Sequence, residues 1–462
     1  MRTPLWQTLI WVVMFLVVCE GALRKWVLPD YQSQVYFIKD VLLIIAYLGF
    51  INARRASGNH SRVMTGLKTL LICSVFYFGL EVFNSNSPSI LLSLVGLKNY
   101  LLYPALAFVV PYMFASPKDL EQKLRKYAII MIPFAALGII QFAFGPEHWM
   151  NGYLAHDSEN LRMGSMFGAP GAGKARTTGT FSYIGGYVTF LTVMFYLGAS
   201  LAASKQWRLS ENKLPLALVA VSIAAMFTTG SRGPIFGIIL FSPFVLYVWK
   251  SGGLMSGRSV AHMGLACIVI YISVTYAVPD AIEAYQYRAS HSDNPMERLT
   301  WGLTENYDAL VESPVLGTGM ASTNAAAVTI MRTTDFWWLN GTQVEGETAR
   351  VLLETGAVGF MLVFTARIWL LLSAMVLGTK FRTPLYVSLS GAIAGFFAQN
   401  LTGIVINNPT GGIYYWFAAG LLFAMYRTEM QEATAPGRVF WSKLKRKSSQ
   451  PGERTATAIG SR

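Results

Sequence analysis

The stretch GTGMASTNAAAVTIMRTTDFWWLNGTQVEGETARVLLETGAVGF, residues 317–360, joins the longest polar interval of the chain to an apolar segment. The interval starts near Asp280 and contains ten acidic residues and three arginines before Arg350. The apolar segment then runs on through Arg350 and Glu354. This contrast predicts a large loop that leads directly into a membrane helix. The rest of the chain is predicted to be a scaffold that presents this loop on one side.

Apolar runs recur along nearly the whole chain. Of the 462 residues, 53% are hydrophobic and only 13% are charged, which excludes an ordinary soluble domain. The runs are roughly 17 to 25 residues long, enough to cross a hydrocarbon core as helices. We therefore predict an all-α polytopic membrane protein with about 12 transmembrane helices and a large external loop. The predicted spans are 5–20, 35–53, 66–83, 89–114, 127–144, 181–203, 213–229, 234–249, 261–278, 350–378, 384–404 and 412–426.

Lysine and arginine collect in alternate links between these spans. The set of links that includes Arg54, Lys123, Lys205 and Lys380 is basic, so the positive-inside rule places it in the cytoplasm together with both termini. The other set contains two long loops, about 145–180 and 280–349, which are predicted to face outward. The formal net charge of +13 is thus a signal of topology, which argues against a nucleic-acid partner.

The chain is predicted to form one membrane domain followed by a tail. The domain comprises residues 1–426, and the basic segment 427–462 is predicted to be disordered, cytoplasmic and attracted to anionic lipid headgroups. Histidine is scarce and unclustered, so we expect neither a metal site nor a metal cofactor.

Four arginines lie at span ends or in loops on the predicted outer side: Arg176, Arg232, Arg298 and Arg350. Arginines at a membrane interface often snorkel towards the headgroups or form ion pairs. Guanidinium groups also bind phosphate oxygens through two parallel hydrogen bonds. If the four converge, they are candidates to hold a diphosphate group at the membrane surface.

Carboxylates surround the last of these arginines. Glu345 and Glu347 precede Arg350, and Glu354 follows it, so that Glu347, Arg350 and Glu354 share one face of a continuous helix. One interpretation is a structural cluster of ion pairs at a helix start, where acidic residues also suit the helix dipole. The other is a general base, Glu345 or Glu347, beside an anion-binding arginine.

Further candidates are charged residues inside spans and two tryptophans. Charges within spans are costly, and we expect the five residues Glu20, Asp40, Glu81, Lys98 and Arg367 to be paired structurally. Glu20 could pair with Arg24 or Lys25, and Lys98 could meet Glu81 or a lipid phosphate. Trp337 and Trp338 could stack on a sugar or anchor the loop at the membrane interface.

The order of several motifs resembles the O-antigen ligase and polymerase superfamily, which includes the Wzy-type polysaccharide polymerases. The segments that carry the resemblance are EGALRKWVLPDY, FIKDVLLIIAYLGF, ARTTGTFSY, TTGSRGPIF, ERLTWGLTENYDALVESPVLGTGMAS and GETARVLLETGAVGF. The resemblance implies a GT-C-like fold, an all-helical membrane glycosyltransferase with a large external loop over its active site. It also implies that Arg176, Arg232 and Arg298 face the diphosphate of a lipid carrier.

The resemblance further implies a metal-independent, inverting glycosyltransferase of the bacterial inner membrane, without a cofactor and active on the periplasmic side. Its donor and acceptor would be glycans linked to undecaprenyl diphosphate, and a chain-length regulator is a further expected partner beside membrane lipids. Ligases of the superfamily typically carry a histidine before the ExGxxG helix, where this chain has Gln343, Glu345 and Glu347. This difference favours a polymerase of repeat units, for O-antigen or exopolysaccharide, over a ligase that transfers glycan to the lipid A core.

A transporter or flippase is the alternative from a different class. Such proteins commonly show internal repeats and charged, broken helices near the membrane midplane. No repeat is visible in this sequence, and its charges gather at one predicted face.

Overall fold

The computed structural model describes residues 4–53, 62–154, 161–162, 165–167, 173–291, 304–311, 313–332, 344 and 346–434. Its helices are α1 Leu5–Ala22, α2 Gln32–Ala53, α3 Arg62–Glu81, α4 Ile90–Leu101, α5 Leu106–Val109, α6 Pro117–Phe142, α7 Ile184–Ser204, α8 Lys213–Thr228, α9 Gly233–Ser251, α10 Gly257–Ala277, α11 Pro279–His291, α12 Ala325–Met331, α13 Glu347–Gly378, α14 Pro384–Gln399 and α15 Pro409–Thr434. Two short antiparallel pairs join β1 Tyr153–Leu154 to β2 Leu161–Arg162 and β3 Met166–Phe167 to β4 Lys174–Ala175.

The helices confirm the predicted class. Each of the twelve predicted spans coincides with a helix, and within the described residues eight helical segments are long and apolar enough to cross a membrane. The protein is therefore an all-helical, membrane-embedded chain, whereas a total of twelve crossings stays a prediction. The eight segments are Leu5–Val27, Pro29–Ala53, Ile90–Tyr112, Pro117–Phe142, Ile184–Ser204, Gly233–Ser251, Gly257–Ala277 and Glu347–Gly378.

The last helix is longer than the sequence pattern suggested. The final span was placed at 412–426, but α15 continues to Thr434, which shortens the predicted tail from its start. Residues 435–462 lie outside the described residues, as do 292–303, 312, 333–343 and 345 of the predicted loop 280–349.

Contacts between links show that alternate links lie at the same end of the helix array. We call the loop end the end formed by the described residues within 20–36, 82–89, 143–183, 228–233, 278–349 and 400–411. Hydrogen bonds join these links to one another across large distances in the sequence. The pairs are Lys25 with Gly179, Thr177 with Thr228, Tyr183 with Asn408, and Asn84 with Leu316.

The links 110–116 and 379–383 meet the end of α15 at the opposite end. There Arg427 donates to the carbonyl oxygens of Pro111 and Phe114, and the backbone N–H of Arg382 donates to Glu429. Successive long helices therefore run in alternating directions, as the spacing of basic links predicted.

Helix α14 lies at the centre of the array and α10 at its edge. Almost every residue of α14 is buried, and the helix packs against α7, α9 and α13. In α10, by contrast, Ile268, Tyr271 and Tyr276 are exposed. A helix that is apolar on all sides is stable in either place, since lipid and protein interior are both apolar. For this reason the apolar pattern predicted both helices but did not show which of them is buried in the protein.

Helix α13 is interrupted at Gly356, within the sequence ETGAVGF. This glycine has φ 62° and ψ −171°, a conformation that breaks the ladder of helical hydrogen bonds. The carbonyl groups before the break are satisfied by other segments instead, as burial in a membrane protein requires. Thr318 N–H donates to Leu353 O at 2.8 Å, Gly319 N–H to Glu354 O at 3.1 Å, and Tyr77 Oη to Thr355 O at 2.7 Å.

The break can be tested with Gly356→Ala. A Cβ at this position would collide with the carbonyl oxygen of Val315, and the positive φ alone costs an L-residue about 1–2 kcal/mol. We expect a lower apparent unfolding temperature in detergent, measured by intrinsic fluorescence. Gly79→Ala in α3 is the matched control, because a Cβ there meets nothing within 4 Å. Equal unfolding temperatures for the two variants would contradict the described break.

Candidate functional site

The segment ARTTGTFSY, residues 175–183, connects three helices at the loop end, and we call it the junction. Thr177 and Thr228 are joined by a backbone hydrogen bond of 3.2 Å and a hydroxyl contact of 2.7 Å. Thr180 Oγ1 donates to Val18 O in α1. Gln141 of α6 holds both sides of Gly179, accepting from its N–H at 2.8 Å and donating to its carbonyl at 3.0 Å. The segment thus fixes the ends of α1, α6 and α8 relative to one another.

Two predicted diphosphate ligands lie in this junction. Arg176 Nε donates to Thr229 O at 2.9 Å, and Arg232 follows three residues later as the residue before α9. Both side chains are half-buried. Burial raises the pKa of the Tyr285 phenol on α11 while the charge of Arg232 lowers it, which places these two side chains near each other. The structure therefore brings Arg176 and Arg232 to the same turn, although they are far apart in the sequence.

Lys25 joins the same junction from the π-helical turn Leu23–Val27, which follows α1. Its side chain is 2% exposed, and its Nζ donates to Thr178 Oγ1 at 3.0 Å and to Gly179 O at 3.1 Å. The ammonium also lies 4.7 Å from the ring centre of Trp26. No carboxylate pairs with Lys25 in the described part of the chain. Lys25 therefore contributes a donor to the same segment that carries Arg176.

A second group of charges connects α1, α2 and α4. Glu20 pairs with Arg24 at 3.4 Å and with Lys39 at 2.6 Å. Asp40 pairs with Lys98 at 2.8 Å and accepts from Tyr103 Oη at 2.9 Å. Structural pairing is thus confirmed for Glu20, Asp40 and Lys98.

Two expected partners in this group were wrong. Lys98 meets Asp40 and not Glu81, because α2 supplies a carboxylate to the face of α4 on which Lys98 lies. Lys25 turns towards residues 178–179 and not towards Glu20. Glu81 instead accepts from Asn84 Nδ2 at 2.9 Å.

Three cations of this group lie close to the ring of Tyr36. Lys39 Nζ, Lys98 Nζ and the Arg24 guanidinium lie 4.0, 4.8 and 5.4 Å from its centre. Three cations against two carboxylates leave a surplus of positive charge beside the junction. A π face attracts cations most strongly where water is excluded.

Glu347, a predicted base, is a fully buried structural anchor. It forms an ion pair with Arg367 of the same helix, and its two oxygens accept backbone N–H groups of Val405, Ile406 and Asn407 at 2.8–3.1 Å. Arg367 in turn donates to carbonyl oxygens of the link 400–403. Several donors at once thus hold the Glu347 carboxylate in place.

Arg350 and Glu354 meet at Thr323. Arg350 Nη1 donates to Thr323 O at 3.1 Å, and Glu354 Oε1 accepts from Thr323 Oγ1 at 2.5 Å. The other oxygen of Glu354 accepts from Tyr100 Oη at 2.8 Å. Glu354 therefore holds the segment that binds Arg350. The expected direct cluster of Glu347, Arg350 and Glu354 is absent among these side chains, because Glu347 binds the link 405–407 whereas Arg350 and Glu354 both contact Thr323.

The link 405–408 connects this second half of the loop end to the junction. Asn407 Oδ1 accepts from Asn324 Nδ2 at 2.9 Å, and Asn408 Oδ1 accepts from Tyr183 Oη at 2.6 Å. Arg176, Lys25 and Arg350 consequently belong to one connected polar surface.

Several buried N–H donors on this surface have no acceptor among the described residues. Buried donors are normally hydrogen-bonded, so each exception points to a missing partner such as a water or a ligand. All of them lie at segments already described, next to the cations. They are Arg24 Nε, Trp26 Nε1, Arg350 Nε and Asn407 Nδ2. A ligand rich in oxygen acceptors would satisfy such a set.

Four predicted site residues lie outside the described residues: Arg298, Glu345, Trp337 and Trp338.

Sequence reasoning also missed residues that the structure places on the loop end. Lys39 was hidden in an apolar span, although FIKD places two opposite charges side by side. Asn407 and Asn408 lie between two apolar spans, where INNP is the one polar signal.

The anchor role of Glu347 predicts the behaviour of Glu347→Gln. The amide oxygen can still accept from residues 405–407, but Arg367 loses its counter-charge, and breaking a buried ion pair costs about 3–5 kcal/mol. We expect a clearly lower apparent unfolding temperature in detergent.

Glu211→Gln is the matched control, because Glu211 pairs with Arg208 at an exposed site where a pair is worth about 0–1 kcal/mol. A Glu347→Gln protein that unfolds at the same temperature as the control would exclude the anchor role.

The sequence matches no protein-family profile and no curated protein sequence.

Proposed function

We propose that the protein is a polymerase that joins oligosaccharide repeat units linked to undecaprenyl diphosphate, forming O-antigen or exopolysaccharide. In this proposal the loop end faces the periplasm of the bacterial inner membrane, as the distribution of basic links suggests. The reaction is an inverting glycosyl transfer between two lipid-linked glycans.

One observation carries the proposal: three cationic residues from distant segments, Lys25, Arg176 and Arg232, meet at one junction. Lys25 donates to Thr178 and Gly179, and Arg176 donates to the carbonyl of Thr229. Arg232 lies three residues after Thr229, directly before α9. Cationic side chains gathered at a membrane surface suit a ligand with several negative charges, and a lipid diphosphate is such a ligand.

The proposed reaction needs charge stabilisation more than a cofactor. The terminal hydroxyl of one glycan attacks the anomeric carbon of the other, and the bond from that carbon to the diphosphate oxygen breaks. Its electron pair leaves with the lipid diphosphate. Arg176, Arg232 and Lys25 are positioned to stabilise the charge that develops there, and fixed cations in a site away from water do so effectively. Arg350 adds a donor on the same polar surface.

A ligase is the alternative within the same class. It would use the same donor and the same cations, but its acceptor would be the lipid A core. The absence of a histidine from residues 341–349 favours the polymerase.

Purified protein in detergent, given lipid-linked repeat units, tests the proposal. We expect chain growth without an ion gradient, which a transporter would not give. A product that forms only when lipid A core is added would replace the polymerase by the ligase. No product with either acceptor would overturn the proposal.

Arg176→Lys and Arg232→Lys test the diphosphate role. A lysine keeps the charge but loses the planar fork, so we expect kcat/KM for the donor to fall about 10- to 100-fold, the worth of one charge-assisted hydrogen bond. Arg208→Lys, exposed at the opposite end, is the control and should leave kcat/KM unchanged. Rates of the two variants equal to that of the control would exclude diphosphate contacts at Arg176 and Arg232.

A further inference from the structure

Five carboxylates are buried in the described part of the chain: Asp40, Glu81, Glu305, Glu347 and Glu354. A glycosyl transfer needs a group that accepts the proton of the attacking hydroxyl, and a carboxylate shielded from water suits that role. The hydrogen-bond partners of the five decide which of them has an oxygen available.

Four of the five are fully engaged. Asp40 has Lys98 and Tyr103, and Glu81 has Asn84 and Tyr77. Both oxygens of Glu347 and both of Glu354 accept hydrogen bonds. Each of these carboxylates would have to abandon a structural contact in order to take up a proton.

Glu305 differs from the others. It is 4% exposed, and its Oε1 accepts from Gly346 N–H at 2.9 Å. Among the described residues it has no ion pair and no second hydrogen bond. The carbonyl of Gly346 accepts from the backbone N–H of Arg350 at 3.1 Å. Glu305 therefore lies at the first turn of α13, the turn that ends with the anion-binding candidate Arg350.

Gly346 lies against the second oxygen of Glu305. Its φ of −73° and ψ of 139° are open to any residue, so the backbone does not require glycine here. A Cβ at this position would lie 3.1 Å from Glu305 Oε2. A side chain at position 346 would therefore crowd the second carboxylate oxygen, and glycine avoids that contact.

We propose that Glu305 is the general base of the transfer, an inference that rests on the proposed function. Glu305 Oε2 takes the proton from the acceptor hydroxyl as that oxygen forms its bond to the anomeric carbon. The bond from the anomeric carbon to the diphosphate breaks at the same time, and its electron pair leaves with the lipid diphosphate. The proton on Glu305 is then released to solvent, so the carboxylate is restored for the next transfer.

The decisive variant is Glu305→Gln. The amide oxygen can still accept from Gly346 N–H, so the fold is kept, but the amide cannot take up a proton. We expect kcat for chain growth on lipid-linked repeat units to fall about 10²- to 10⁴-fold with the KM of the donor unchanged. Glu283→Gln, exposed on α11, is the matched control and should keep the wild-type kcat. Gly346→Ala, which covers Oε2 but leaves the carboxylate in place, should also lower kcat.

The outcomes separate the two proposals. A wild-type protein that makes no product removes the proposed function itself. An active wild type with Glu305→Gln within twofold of Glu283→Gln overturns the role of Glu305 alone. A rise in KM at unchanged kcat, or a lower unfolding temperature for Glu305→Gln, also overturns it, because Glu305 would then only cap the start of α13.

Discussion

The structure depends on satisfying the peptide groups that are released where helix α13 breaks. A helix within a membrane can stop bonding to itself only where other protein groups replace the lost hydrogen bonds. At Gly356 that replacement comes from residues 313–319, whose N–H groups and hydroxyls reach Leu352, Leu353 and Glu354. The break therefore fixes the segment SPVLGTG against α13, and through Thr323 it also fixes the position of Arg350.

Charge neutralisation is the second constraint, and it divides the charged residues of the loop end into two groups. Glu347 with Arg367, and Asp40 with Lys98, are buried pairs whose charges cancel where they lie. Lys25 and Arg176 are oriented by carbonyl and hydroxyl oxygens of the junction, and Arg232 follows in the same turn. Such an arrangement concentrates positive potential at one place on the surface, and it gives the proposed lipid diphosphate a defined position.

Much of this organisation could be predicted from the sequence, because apolar length and basic links are local signals. The class of fold, the helix positions and the alternation of ends follow from them. The partners of individual charges did not follow. Lys98 and Asp40 are 58 residues apart, and Glu347 reaches Arg367 and the link 405–407 instead of its neighbours on the helix. The sequence ETGAVGF also gives no sign of a break, since glycine occurs in ordinary membrane helices and the compensating donors come from another segment. Periodicity describes one helix, whereas these contacts depend on which helices are neighbours.

The short piece of α13 before Gly356 is restrained at both of its ends. Glu347 ties its first turn to residues 405–407, and the carbonyls of its last turn are tied to residues 318–319. A helical segment restrained in this way cannot shift or tilt independently of the residues that hold it. Arg350 lies in this segment. Its guanidinium can therefore change position only by rotation about its own side-chain bonds. A substrate that binds this cation must therefore move to it. The entropy cost of ordering this segment is met during folding and not during binding.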